Sequence, residues 1–223
     1  MKVTEALDTR LSVRAFRDEP VPEDTVREII RRAARAPSGG NLQPWHVIVL
    51  TGAARQRLVD AVTAKIPEKP TGEGTEYHIY PPKLKEPYRT RRFRIGEMMY
   101  EKLGIPREDK AARLMQFAHN YRFFDAPVGL LFSIDRSMQE GQWADLGMFM
   151  QSIMLLAREY GLDTCAQEAW AIWHETISEL FHIPEEQMFF CGMAMGYRDP
   201  EAPLNRLRSE RAPLEEFARF IRE

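Results

Sequence analysis

Hydrophobic residues recur at helical spacing in two long segments of the chain. Over 22–36 they repeat every three or four positions, with Pro22 first, acidic residues in the first turn and arginines near the end. The segment 142–160 is apolar on most sides and ends before Gly161. We therefore predict an amphipathic helix over 22–36 and the central helix of the core over 142–160.

Short apolar runs between these segments predict four strands. The run 46–50 is typical of a buried strand, and the others cover 125–134, 162–169 and 188–196. Weaker periodicity predicts further helices over 4–10, 53–66, 91–103, 107–121 and 170–182. Strands that alternate with helices indicate a layered α/β or α+β fold. A chain of 223 residues fits a single domain.

The segment 67–88 breaks this periodicity with several prolines, two glycines and scattered charges. Long irregular segments in compact domains often cover ligand sites, so we predict that 67–124 is an insertion that covers the substrate. Its aromatic residues are candidates to line an acceptor pocket, although ordinary packing explains each at least as well: Tyr77, Tyr80, Tyr88, Phe123 and Phe124.

Composition excludes several kinds of protein. No apolar run approaches the roughly 18 residues that cross a bilayer, and the N-terminus lacks the pattern of a secretory signal, so we expect a cytoplasmic protein without a membrane span. The net charge of −2 offers no overall attraction to nucleic acid. The arginines of 89–94 could suggest nucleic acid, but we favour the polar face of a helix that also carries Glu97 and Glu101.

Common catalytic motifs are missing from the sequence. The five histidines show no zinc-site spacing, and Cys165 and Cys191 form neither a metal motif nor a redox pair. No nucleophile elbow, P-loop or Rossmann glycine motif occurs. A bound cofactor that carries the reaction is therefore favoured.

Two segments have the chemistry of a cofactor site. Arg10, Ser12 and Arg14 have a spacing of two, which in an extended segment gives either one anion-binding face or a solvated surface strip. The loop 36–46 reads A-P-S-G-G-N-L-Q-P-W-H. Its glycines and amides suit the edge of a heterocycle, while an ordinary connection from helix to strand accounts for the same residues.

Five blocks together resemble the FMN-dependent nitroreductase family. They are R-L-S-V-R-A-F over 10–16, the loop 36–46, the helix and its exit over 145–163, M-A-M-G-Y-R-D-P over 193–200 and R-A-P-L-E-E over 211–216. Their order and spacing match across nearly the whole chain. The region 67–124 has little similarity to the general sequence pattern of the family. The resemblance therefore predicts the cofactor but leaves the substrate in doubt.

The resemblance implies which residues bind FMN. Arg10 would face the phosphate together with Arg208 and Arg211, and Arg14 would lie near the N1 and O2 side of the flavin ring. The remaining residues would line the ring and ribityl chain or present backbone groups to the ring: Leu11, Ser12, Pro37, Ser38, Gly39, Asn41, Gln43, Gln167, Glu168 and Ala169. It also implies an α+β fold with a central mixed, mainly antiparallel sheet flanked by helices, in an intertwined homodimer.

The implied activity is ping-pong hydride transfer from NAD(P)H, through FMN, to a nitroaromatic or quinone-like acceptor. No catalytic side chain is required, because the protein supplies stacking, orientation and electrostatics. Two alternatives remain: another reaction on the same scaffold, such as reductive dehalogenation or flavin breakdown, and a non-catalytic flavin-binding protein. The sequence leaves open the preference for NADH or NADPH and the physiological acceptor.

Overall fold

The computed structural model describes residues 1–222 of the chain. The helices are α1 (Val3–Thr9), α2 (Glu23–Ala33), α3 (Gly52–Lys65), α4 (Tyr88–Lys102), α5 (Lys110–Ala118), α6 (Glu140–Glu159) and α7 (His174–Phe181). The strands are β1 (Trp45–Thr51), β2 (Val128–Asp135), β3 (Asp163–Gln167) and β4 (Gln187–Gly196). All four predicted strands and both long predicted helices are present.

The strands form one sheet in the order β1-β2-β4-β3. Every neighbouring pair of these strands is antiparallel. Parallel pairing within residues 1–222 is confined to an isolated bridge between Ser12 and Thr164. The predicted α+β fold with a mainly antiparallel sheet is confirmed. The bridge between Ser12 and Thr164 is the parallel pairing that makes the sheet mixed.

Strand β2 lies at the centre of the core. Its residues alternate between the two faces of the sheet, so Phe132 packs in a layer with α2 and α6 while Leu131 packs on the opposite side with Leu58 and Trp170. Ile153 of α6 is fully buried in the first layer. The prediction that this helix is central to the core is therefore confirmed.

Some predicted boundaries and burials were wrong. Strand β1 is an edge strand that pairs only with β2, so Leu50 is its one buried residue rather than one of many. Asp125 has a φ of +63° at the end of a 3-10 turn, and β2 therefore begins at Val128. Residues 168–173 form a 3-10 helix, which delays the start of α7 to His174.

The region 67–124 has two parts that differ in how they pack. Its first part is held on the domain by buried polar contacts, since the Glu73 carboxylate accepts from the Thr176 backbone N–H at 3.0 Å and from Lys65 Nζ at 3.1 Å. The helices α4 and α5 that follow contain no buried residue. None of the helices within residues 1–222 combines the length and the apolarity needed to cross a membrane.

Candidate functional site

The segment that follows α1 is extended, and its side chains alternate. Leu11 and Val13 are buried in the core, so Arg10, Ser12 and Arg14 lie on the accessible side. The Val13 N–H donates to the Thr164 carbonyl at 3.1 Å, which fixes the segment against β3. The predicted common face of Arg10, Ser12 and Arg14 is thus present.

The C-terminal tail brings two further arginines to this segment. Arg208 Nη1 donates to the carbonyl of Asp8 at 2.9 Å, two residues before Arg10. Burial lowers the pKa of Arg10, and the guanidinium of Arg211 lies near enough to lower it further. Within residues 1–222, Arg10, Arg14, Arg208 and Arg211 form no ion pair with a carboxylate. Clustered cations without a partner carboxylate fit an anionic ligand such as a phosphate.

Strand β3 connects these arginines to the predicted ring-binding residues. Thr164 lies beside Ser12, and Gln167 follows three residues later, about 10 Å along the strand. Gln167 is buried and donates from Nε2 to the Asn120 carbonyl at 2.9 Å, but its Oε1 has no partner within residues 1–222. An orphaned buried acceptor fits a ligand that donates a hydrogen bond.

The two residues after Gln167 are only partly buried. Burial raises the pKa of Glu168, whose carboxylate makes no hydrogen bond within the described residues. Ala169 packs against the core layer that contains Trp170. This end of β3 thus offers a half-buried carboxyl group and a short stretch of accessible backbone to a neighbouring ligand.

The loop 36–46 is held by hydrogen bonds within the loop and to helix α6. Gly40, Asn41 and Gln43 all have positive φ, between +51° and +58°. Ser38 Oγ accepts from the Gln43 N–H at 3.0 Å, and the Gly39 N–H donates to the buried Asp145 carboxylate at 3.1 Å. The loop borders a cleft of about 390 Å³ that Pro37 also lines.

The structure does not bring this loop and the arginine segment together in one chain. Arg158 Nε donates to Thr9 Oγ1 at 3.4 Å, which places the arginine segment at the C-terminal end of α6. Asp145, which binds Gly39, lies thirteen residues earlier on the same helix, about 20 Å away at a rise of ~1.5 Å per residue. The predicted site residues therefore form two separate halves.

Comparison with known proteins decides the family. The sequence model of the nitroreductase family matches residues 7–197. The chain belongs to the nitroreductase family. The predicted family and the predicted oxidoreductase class are confirmed.

Individual relatives are similar along their full length. The chain is 38% identical to nitrobenzene nitroreductase of Ectopseudomonas oleovorans over 221 residues, which cover 99% of this chain and 97% of that protein. A crystal structure of the FMN and NADPH-dependent nitroreductase NfnB from Sphigopyxis sp. strain HMH matches with 46% identity, a TM-score of 0.97 and full coverage of both chains. The FMN-dependent NfnB from Mycobacterium smegmatis, solved in complex with NADPH, matches with 30% identity and a TM-score of 0.92, covering 99% of this chain and 100% of that one.

Polar residues that sequence reasoning missed hold the start of the arginine segment in place. Asp163 is buried and binds Arg198 Nε at 2.6 Å and Arg158 Nη1 at 2.8 Å. Both arginines also hold Thr9, the residue before Arg10. Asp163 and Arg198 lie within the blocks that resemble the family. Each is a charged residue next to an apolar run, and this pattern could have identified them from the sequence.

Asn205 is a second supporting residue that was missed. It is buried, its Oδ1 accepts from the Arg14 N–H at 2.9 Å, and its Nδ2 donates to the Ala15 carbonyl at 2.8 Å. This amide fixes the backbone of the arginine segment. A single asparagine in a turn-rich tail gives no sequence signal for such a role.

The aromatic residues of the 67–124 region have different positions. Phe123 is fully buried and packs on Trp170 with ring centroids 4.5 Å apart, so the prediction that it lines a pocket was wrong. Its backbone has a φ of +54°, which is uncommon for an aromatic residue. Phe124 is also buried but borders a cavity of about 250 Å³ beside Arg14.

The three tyrosines named as candidates, Tyr77, Tyr80 and Tyr88, lie nearer the surface. Tyr77 is half-buried and donates to the Phe190 carbonyl at 2.7 Å, and burial raises its pKa. Tyr80 is exposed, with the guanidinium of Arg92 over its ring at 3.9 Å. Tyr88 is 60% exposed. Neither exposed ring is committed to the core, so both stay available to a ligand.

Proposed function

We propose that this chain is an FMN-dependent NAD(P)H oxidoreductase that reduces nitroaromatic compounds. The observation that carries the proposal is the cluster of arginines at the start of the extended segment, where Arg208 binds the Asp8 carbonyl near Arg10 and neither arginine has a carboxylate partner in residues 1–222. Relatives named for nitrobenzene and chloronitrobenzene reduction, and the FMN and NADPH-dependent NfnB, support the same acceptor class and cofactor. Quinone-like acceptors belong to the same proposal.

The residues present fit the phosphate of FMN. Arg10, Arg208 and Arg211 would bind it, because planar guanidinium groups match the geometry of phosphate oxygens. Arg14 would place its positive charge near the ring, where it favours the negative charge of the reduced state. Bound FMN would supply the two-electron carrier between NAD(P)H and the acceptor.

Residues at the end of β3 would position the ring. The unpartnered Oε1 of Gln167 and the half-buried segment Glu168–Ala169 lie about 10 Å along β3 from the bridge at Ser12, in the direction of Arg14 and away from Arg10. They would bind and orient the ring edge, and no side chain is assigned as catalytic. The 67–124 region would cover the acceptor and exclude water.

A second copy of the chain would complete the site. The two halves lie about 20 Å apart in one chain, and Ser38, Asn41 and Gln43 therefore reach a cofactor bound at Arg10 only from another subunit. The central helix α6 supports this, because Met148 on its outer face is 39% exposed beside the accessible Gly147. We thus propose a homodimer with FMN at its interface, and a cytoplasmic location where NAD(P)H is available.

Spectroscopy of the purified protein tests the function. We expect a flavin absorbance spectrum that is bleached by NADPH without air and restored by nitrobenzene. A protein that holds no flavin and takes up none when FMN is added would overturn the proposal. Flavin that resists reduction by both NADH and NADPH would instead indicate a non-catalytic flavin-binding protein.

Sedimentation tests the dimer separately. We expect Met148→Glu to shift the protein towards a monomer and to lower FMN retention, because a buried unpaired charge opposes the α6 contact. Glu159→Gln changes an exposed position on the same helix and serves as the control. A wild-type monomer that retains FMN would contradict the two-subunit site.

A further inference from the structure

Helix α4 has a groove along one face that the proposed FMN site does not use. The groove has a volume of about 840 Å³. Its apolar lining comes from Pro81, Pro82, Leu84 and Phe93. Its cationic lining comes from Lys83, Lys85, Arg89 and Arg92. Gly96 and Glu97 complete the lining. A groove that combines apolar surface with several cations suits an aromatic ligand that carries negative charge.

The carboxylates near this groove are already neutralised. Glu86 pairs with Arg89 at 2.7 Å, and Glu97 pairs with Arg113 of α5 at 2.6 Å. Within residues 1–222, Lys83, Lys85 and Arg92 form no ion pair. These three positive charges therefore remain available to a ligand.

The position of Arg92 adds a stacking surface. Its guanidinium lies 3.9 Å from the centre of the Tyr80 ring, and the neighbouring Phe93 ring has the guanidinium of Arg107 at 5.3 Å from its centre. A guanidinium held by an aromatic ring in this way can stack on a heterocycle and bind a phosphate with its free N–H groups.

The opposite face of α4 packs against the C-terminal tail, where Arg211 lines the same cavity as Arg91 and Arg94. There Arg94 pairs with Glu210 at 2.8 Å and Arg91 pairs with Glu216, both on the tail that includes Arg211. The groove and the tail are thus separated by one helix, about 10 Å. A ligand in the groove therefore lies on the other side of α4 from Arg211, one of the residues proposed to bind the FMN phosphate.

We propose that this groove binds the 2′-phosphorylated adenosine of NADPH and makes the enzyme prefer NADPH to NADH. The inference rests on the proposed function. The adenine stacks on Phe93 and Arg92, and the extra phosphate binds Arg92, Lys83 and Lys85. NADH lacks that phosphate, and it therefore leaves these three charges without a partner.

The test compares two double variants of the FMN-loaded enzyme. Lys83→Gln with Arg92→Gln removes two groove charges, and Lys102→Gln with Lys110→Gln removes two charges at exposed positions outside the groove. Calorimetry measures the binding of adenosine 2′,5′-bisphosphate and of 5′-AMP. We expect the bisphosphate to bind about tenfold or more tightly than AMP, and only the groove variant to lose that difference.

Steady-state rates give a second measurement. In the groove variant kcat/KM for NADPH should fall about tenfold or more, the value for NADH should stay constant, and the control should resemble the wild type. Equal binding of bisphosphate and AMP, or equal use of NADPH and NADH by the wild type, would overturn the inference. Failure to oxidise either nucleotide would overturn the proposed function instead.

Two further outcomes would assign the groove to another anion. A loss confined to nitrobenzoate, with nitrobenzene and NADPH unaffected, would make it a site for an acidic acceptor. Salt-dependent retention of RNA or DNA that the groove variant loses would make it a nucleic-acid surface. Either result contradicts the assignment to NADPH.

Discussion

The backbone N–H of Gly39 donates to the buried carboxylate of Asp145 at 3.1 Å. A Cβ at Gly39 would lie 3.8 Å from the same oxygen, which is ordinary contact. The hydrogen bond, rather than a need for space, therefore couples the loop 38–43 to α6. Because α6 is fixed in the core, this bond fixes the position of the loop as well.

Asp145→Leu should loosen this loop. We expect a loss of about 1–3 kcal/mol in the free energy of unfolding, because the Gly39 N–H loses its charged acceptor. FMN retention should fall about tenfold. Urea unfolding and equilibrium dialysis measure the two effects, with Glu159→Gln on the same helix as the control. Unchanged retention would remove the loop from the cofactor site.

Arg10 and Arg211 should contribute to FMN binding more than to folding. Charge-assisted hydrogen bonds contribute about 1.5–3 kcal/mol, so Arg211→Gln should weaken FMN binding by at least roughly tenfold. The flavin-free variant should be no less stable than the wild type, because the repulsion of Arg10 is removed. Fluorescence titration measures the affinity for FMN, and thermal unfolding measures the stability of the flavin-free protein. Arg57→Gln, an exposed arginine on α3, is the matched control, and equal effects of both variants would contradict the phosphate assignment.

Asp163 should be important for stability. Removal of a buried carboxylate that pairs with two arginines leaves their charges uncompensated, and such changes cost about 3–5 kcal/mol. We expect Asp163→Ala to reach this range in urea unfolding. Glu201→Gln breaks an exposed pair with Arg206 and should change stability by less than about 1 kcal/mol. Comparable losses in the two variants would contradict a buried ion cluster.

Gly192 should tolerate no side chain. A Cβ on this residue of β4 would lie 2.4 Å from Cδ1 of Trp170, inside the core. Gly192→Ala should therefore destabilise the fold by about 1–3 kcal/mol. Gly141→Ala meets no atom within 4 Å at the start of α6 and should be neutral or stabilising. Chemical unfolding measures the free energy of unfolding of both variants. An unchanged value for Gly192→Ala would contradict the close packing against Trp170.

Glu168 should make the stability of the flavin-free protein depend on pH. Burial raises its pKa above the ordinary value of about 4.3. The native state therefore holds the proton more tightly than the unfolded state. The tighter proton binding adds to the free energy of unfolding below the ordinary pKa, and this addition is lost as pH rises through the raised pKa.

The variant Glu168→Gln is neutral at every pH and should avoid this loss. Its Tm relative to the wild type should therefore rise between about pH 4 and pH 8. Glu179→Gln, at an exposed position on α7, should show a constant difference over the same range. A constant difference for Glu168→Gln would show that its carboxyl group is not buried in solution.

The sequence by itself determined the local features of this protein. The periodicity of 142–160 identified the central helix, and the spacing of two between Arg10, Ser12 and Arg14 predicted that an extended segment would place them on one face. Both results depend on spacing along a few residues, which the backbone geometry of helices and strands fixes. The blocks that resemble the nitroreductase family added the cofactor.

Only the tertiary structure decided which distant residues meet. Asp163 joined two arginines from separate elements, and Asn205 of the tail fixed the backbone of Arg14, because long-range packing sets such contacts and no local pattern encodes them. Phe123 packs in the core against Trp170, which decides between the pocket and the ordinary packing that the sequence had left open. The length of α6 separated the loop 36–46 from the arginines by about 20 Å. Residues that the family resemblance assigned to a single site therefore lie at the two ends of one helix, α6, within one chain.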